Sequence, residues 1–202
     1  MGETKKAIMM AALQLFARDG YEAVSVSQIA GALGMTKGAL YKHYKNKRDI
    51  FDHIVARMEQ LDRERAEAYA VPAEPLEQME KGYPQVSMEQ LIAYSVAQFQ
   101  YWTEHPFAAP FRNMLVLEQF RSAEMQQLYQ QYLVAGPADY VADLFEAAGM
   151  PNAKEQANCF YGVMFFFYSK YDGAANGTEL ADQLRLALEY LVESARKGND
   201  AE

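Results

Sequence analysis

The sequence predicts an all-α protein, and three observations carry that prediction. Ala, Leu, Met, Glu, Gln, Lys and Arg, the residues that lose least on entering a helix, fill 111 of the 202 positions. Val, Ile and Thr together fill only 20, too few to furnish the packed faces of a sheet. No stretch alternates apolar and polar residues at length, and no Asn-Gly or Asp-Gly pair joins two apolar runs. Half the chain is apolar and Gly with Pro number only 19, so there is material for a core and no signature of disorder.

The elements follow in order from caps and periodicity. Thr4 is placed to cap a first helix with Ile8, Ala12, Leu15 and Phe16 on one face, ended by Gly20. Ser25 with Gln28 reads as a capping box opening a short second helix through Ile29, Ala30 and Leu33, ended by Gly34. Thr36 caps a third helix of two turns, Lys37 to Tyr44. Asn46 with Asp49 opens a fourth, with Ile50, Ile54 and Met58 on one face, running toward Ala70. The prolines and glycine between Val71 and Pro84 predict a loop. Ser87 with Gln90 opens a helix to about Glu104, and Pro106 and Pro110 break the chain. Helices over 112–120, 123–135 and 138–148 follow, then one from Asn152 to Tyr171 and a last from Thr178 to Lys197.

Charge divides the chain. Residues 1–60 balance at +3 and residues 61–202 at −11, within a net −8. From Thr36 to Arg48 there are Lys37, Lys42, Lys45, Lys47 and Arg48 and no acid, an electrostatic footprint suited to phosphates. The alternative for a basic run is a solvated helix face. Its setting favours the phosphates: two short helices joined at a glycine turn form a helix-turn-helix, and the second carries the basic and aromatic side chains.

The stretch AALQLFARDGYEAVSVSQIAGALGMTKGALYKHYKNKRDIF resembles the DNA-binding domain of TetR/AcrR-type transcriptional regulators. The matching features are Ala11-Ala12, Leu15-Phe16, Gly20, Ile29-Ala30, Gly34, Thr36-Lys37-Gly38, Leu40-Tyr41, His43-Tyr44 and Lys47, over roughly a quarter of the chain. Val24 and Ser27 depart from it, standing where Thr and Arg are common. The departure at Ser27 shifts base readout onto the third helix. Candidate DNA-binding residues are Ser25, Ser27 and Gln28, then Thr36, Lys37, Gly38, Ala39, Tyr41, Lys42, His43 and Lys47. Gly38 and Ala39 let the backbone approach the major-groove floor, and Lys37 is the expected contact to a guanine edge. Tyr41, Lys42 and His43 straddle the DNA backbone, and Lys47 is expected at a phosphate. Leu40 and Tyr44, at i, i+4 spacing, belong to a small core.

The expected organisation is a three-helix DNA-binding domain over residues 1–48 and a larger helical domain over 49–202 for ligand binding and dimerisation. The helix around Phe160 to Tyr168 is apolar nearly all round, so one face meets the core and another a second subunit. A homodimer through residues 153–197 follows, and the resemblance points the same way. Aromatic and soft side chains in mid-chain suggest a pocket for a small hydrophobic or aromatic effector, with Tyr94, Phe99, Trp102, Phe111, Met114, Tyr132 and Phe165 as candidate lining. Each of these is also a natural core residue.

The expected function is a repressor released from a palindromic double-stranded DNA operator by such a molecule. Two rivals are a DNA-binding regulator without a ligand and a helical enzyme. The three histidines lack metal spacing with Cys or carboxylates, and no Gly-rich phosphate loop or Ser-His-Asp pattern occurs, so no catalytic residue, metal or cofactor is expected. The single cysteine, Cys159, fits a reducing compartment. The longest apolar run, Phe160 to Tyr168, is shorter than the ~20 residues of a membrane span, and MGETKKAIMM does not read as a secretory signal. The cytoplasm is the expected location.

Overall fold

A computed structural model describes residues 2–68, 86–172 and 177–199, and among these the backbone forms ten α-helices and no strand. They are α1 (Glu3–Asp19), α2 (Val26–Ala32), α3 (Lys37–Leu40), α4 (Lys47–Ala68), α5 (Met88–Glu104), α6 (Ala108–Glu118), α7 (Ala123–Leu133), α8 (Ala135–Ala147), α9 (Ala153–Asp172) and α10 (Gly177–Asn199). The loop expected over 71–84 lies outside the described residues, as does Ala70.

Several helix starts are set by the side chains that the sequence offers. Ser25 and Gln28 form a full capping box at α2, and Ser87 and Gln90 another at α5. Thr36 accepts the Ala39 amide at α3, and Asn46 Oδ1 accepts the Asp49 amide at α4. Gly34, at φ +64°, ends the α2 turn in the left-handed region that glycine enters without strain.

Three expectations are corrected. The first helix starts one residue before Thr4, with Gly2 at the cap position and no side-chain cap bond. The third helix is a single α-turn, because beyond Leu40 the amides of Lys42 and His43 bond three residues back, to Ala39 and Leu40. Pro110 does not break the chain: it lies in the first turn of α6, where a proline's missing N–H has no intrahelical partner to lose.

Two compact units organise these helices, one of residues 1–65 with 106–129 and one of residues 66–105 with 130–202. In the first, α1 packs against α2 and against α6, and α2 against α3. Ile8, Leu13, Phe16, Ile29, Leu40, Ile50 and Ile54 are completely buried there, together with Phe111, Met114 and Leu115 of α6. Removing one such phenylalanine would cost about 3–5 kcal/mol, a large share of a domain's stability. In the second, α9 packs along α8 and meets α5 and α10, and α10 also lies on α5. Tyr161 of α9 donates to the Leu133 carbonyl at 2.8 Å, and Tyr171 to the Thr103 carbonyl at 3.0 Å. These bonds satisfy carbonyls near the ends of α7 and α5 that have no further turn to pair with.

The face of α9 carrying Ala157, Phe160, Tyr161, Met164, Phe167 and Tyr168 is buried. The opposite face is not: Phe165 is 41% and Phe166 60% exposed. On α10, Leu180, Ala181, Leu184 and Leu188 face inward, while Leu186 and Tyr190 stand 65% and 75% exposed.

Candidate nucleic-acid interface

The helix-turn-helix stands on a core that fixes its orientation. Leu40 and Tyr44 are buried, as their spacing requires, and the Tyr44 hydroxyl donates to the Lys5 carbonyl at 3.0 Å. Burial, with the Asp49 carboxylate nearby, pushes the Tyr44 phenol up to about 12, so it stays protonated and holds that bond. Its ring meets His53 edge-on at 5.1 Å and the Lys5 ammonium at 5.0 Å. The end of the recognition segment is therefore pinned to α1.

Around this core the candidate contacts emerge on the surface. Ser25, Ser27 and Gln28 of the α2 region are exposed, as are Thr36, Lys37, Gly38, Tyr41, Lys42 and His43, with Ala39 half-buried. The Gln28 side chain accepts from the Ser25 amide and hydroxyl, both at 2.8 Å, so these two are also the cap of α2. Lys37 extends over the Tyr41 ring at 5.8 Å, and Gly38 leaves the first turn of α3 without a side chain. One exposed surface thus gathers small backbone, cations and an aromatic edge, the materials of groove readout.

Lys47 is placed differently from its neighbours. Its ammonium donates to the carbonyls of Tyr21 at 2.8 Å and Glu22 at 3.3 Å, sits 4.3 Å over the Tyr21 ring, and lies 3.8 Å from the Glu22 carboxylate. Arg48 is likewise engaged: Asp52 takes its Nε at 2.6 Å, and Glu124 takes both terminal nitrogens at 2.8 and 2.6 Å. Those carboxylates hold the guanidinium well above its ordinary pKa. The five-cation footprint therefore reduces to Lys37, Lys42 and Lys45, none of which has an acidic ion-pair partner among the described residues.

The candidate effector residues fall in both compact units. Trp102 and Tyr132 meet edge-on at 6.1 Å, and Phe99 packs against Phe167, Tyr168 and Tyr171, all in the second unit with the half-buried Tyr94. Phe111 and Met114 belong to the first unit, and Phe165 stands on the exposed side of α9. A cavity of about 550 Å³ in the second unit is lined instead by Phe145, Met150, Cys159, Phe160, Leu191 and neighbouring residues. Nothing local in the sequence signals it, because it forms where the ends of separate helices meet. Among the described residues no group of three His, Cys, Asp or Glu side chains gathers to hold a metal.

The capped pair of short helices, exposed over a buried core to which α1, α4 and α6 also contribute, has the form of a helix-turn-helix. Residues 8–54 match the family described as "Bacterial regulatory proteins, tetR family". The HTH-type transcriptional regulator AcrR of Shigella flexneri is 44% identical over 52 residues, 26% of this chain and 24% of that one. The HTH-type transcriptional repressor BepR of Brucella suis is 42% identical over 55 residues, 27% of this chain and 26% of that one. The matched segment thus spans about a quarter of these relatives' length. Over nearly the whole chain the fold is that of a transcriptional regulator from Saccharomonospora viridis solved in complex with choline. The TM-score is 0.66 at 18% identity, with 96% of this chain and 97% of that one covered. No helix among the described residues is long and apolar enough to cross a membrane.

Proposed function

We propose that the protein is a ligand-responsive transcriptional repressor, and not an enzyme, that binds a palindromic double-stranded operator as a homodimer in the cytoplasm. The observation that carries this reading is the exposed surface of Ser25, Ser27, Gln28 and Thr36 to His43 standing over a completely buried core. Residues 1–48 read the DNA, and residues 49–202 serve effector binding and dimerisation. Lys37 meets a base edge beside Gly38, and Lys42 and His43 meet phosphates with Tyr41. Lys47 supports the site from behind, through the Tyr21 and Glu22 carbonyls.

Residues 153–197 form the dimer contact. The exposed Phe165 and Phe166 of α9 and Leu186 and Tyr190 of α10 support it, since exposed apolar stripes of this kind mark association surfaces. A small hydrophobic or aromatic molecule acts as effector, with Tyr94, Phe99, Trp102, Tyr132, Phe111 and Met114 as candidate contacts. The fold shared with a protein solved in complex with choline supports a small-molecule effector, and the repressor among the sequence relatives supports repression. The test is selection of duplexes from a random library by the purified protein, followed by a panel of hydrophobic and aromatic compounds added to the complex. A palindromic consensus and release by at least one compound are expected. Failure to enrich any duplex overturns DNA binding, and a complex that no compound weakens overturns the induction.

A further inference from the structure

We infer that Glu118 is a positioning residue for DNA binding: the corner between α6 and α7 grips both ends of the helix-turn-helix and sets its orientation. This rests on the DNA-binding reading above. Glu118 is 1% exposed, and a carboxyl group buried so deeply needs hydrogen-bond partners. One oxygen accepts the Arg121 guanidinium at 2.9 Å and the Tyr21 backbone amide at 2.9 Å, reaching 97 residues back along the chain. The turn between α1 and α2 is shaped around that oxygen. Gly20 lies at φ +88°, and a Cβ there would stand 2.5 Å from the same Glu118 oxygen and 2.6 Å from Arg121. Only glycine meets both demands, the positive φ and the absent side chain.

From Tyr21 the contact passes inward. Its ring lies 5.1 Å from both Phe16 and Phe51, and its carbonyl takes the Lys47 ammonium. Just beyond the α6–α7 corner, Glu124 forks onto Arg48 at the start of α4. The segment carrying α2 and α3 is therefore bonded at both ends, Tyr21 and Arg48, to one short stretch, Glu118 to Glu124. None of these groups stands among the exposed residues that face the DNA. Their part is to fix the tilt at which Lys37 and its neighbours are presented. A dimer recognises an operator only when two such modules match two half-sites about 34–36 Å apart or a near multiple. Loosening the corner removes that geometric selectivity while each module keeps its own contacts.

The experiment uses the full-length protein and a duplex that it has selected from a random library, with versions in which one half-site is moved by two base pairs. A duplex bearing a single half-site is the control. Glu118→Leu keeps the volume and removes both bonds; it is expected to reduce discrimination between the selected and displaced duplexes by about 5-fold or more. Affinity for the single half-site is expected to stay within about 2-fold, and Glu118→Gln, which keeps the acceptor for the Tyr21 amide, to restore the discrimination. Glu124→Ala, at a half-buried position, removes both bonds to Arg48; it tests the second tie with the same expected loss and keeps the question open to refutation if Glu118→Leu does not fold. Variants that discriminate as the parent does overturn the inference alone. A parent protein that selects no duplex overturns the DNA reading and the inference together.

Discussion

At the scale of single residues, the cations of the helix-turn-helix are expected to do three separable things. Lys37 stands beside Gly38, which leaves the first turn of α3 without a side chain. Lys37→Ala is expected to cost about 1–3 kcal/mol per half-site and to blur preference at one base pair. Lys42→Ala is expected to weaken all sequences alike and to lower the salt slope by about one per half-site. Isotherms against single-base variants at several salt concentrations distinguish the two; a uniform loss from Lys37→Ala would assign that residue to a phosphate. Lys47 behaves as neither. Its ammonium is tied to two carbonyls, so Lys47→Met should lower Tm by roughly 2–6 °C and leave the salt slope unchanged, as melts and the same isotherms would show. The sequence made the local part of this legible. Caps and i, i+4 spacing act within one turn, so Ser25, Thr36, Leu40 and Tyr44 are found where their pattern puts them. The contacts of Lys47 with Glu22, Arg48 with Glu124 and Glu118 with Tyr21 were not legible, because these partners lie 25 to 97 residues apart.

At the scale of elements, α9 shows how far apolar periodicity reaches. A helix apolar on every face predicts two covers, and only one is supplied within the chain's described residues. Pairing Phe166→Asp with Tyr190→Asp on α10 is therefore expected to give a monomer of 22.9 kDa by light scattering, the parent being expected as a dimer. Unchanged mass would move the dimer contact elsewhere. On α4, Asp62 is partly buried, and burial pushes its carboxyl up to about 7, with Glu59 adding and Arg65 and Arg63 opposing. A carboxyl raised in the fold favours the protonated form, so its contribution is complete below about 4 and is lost as pH rises through about 7. Tm should fall between pH 5 and 8 by an amount worth about 2 kcal/mol, and Asp62→Asn should flatten that slope. A parent protein whose melts show no such fall would refute it. Element lengths were less legible than element types. Proline marks a boundary whether it ends a helix or begins one, and only the packing of α6 shows that Pro110 begins one.

At the scale of the molecule, the first compact unit is discontinuous in sequence: residues 106–129 complete a core whose other helices lie within residues 1–65. The inner face of α1 packs on α6, where Phe111, Met114 and Leu115 are wholly enclosed. A fragment ending at residue 65 would expose that face to water. It is expected to lose most of its helical circular dichroism at 25 °C, whereas the full chain melts cooperatively; a fragment with native helicity would show that α1 to α4 suffice. The same discontinuity limits how such a regulator can be recombined. A chimera that takes only the first 48 or 65 residues from one parent asks α1 to fit a foreign α6, and Gly20 to fit a foreign carboxylate. A workable graft carries two pieces of chain, the N-terminal helices and the stretch from Pro106 to Tyr129. Exchange of binding specificity between relatives by a single crossover is then confined to parents that share this seam, and elsewhere new specificity must arise by substitution within α2 and α3.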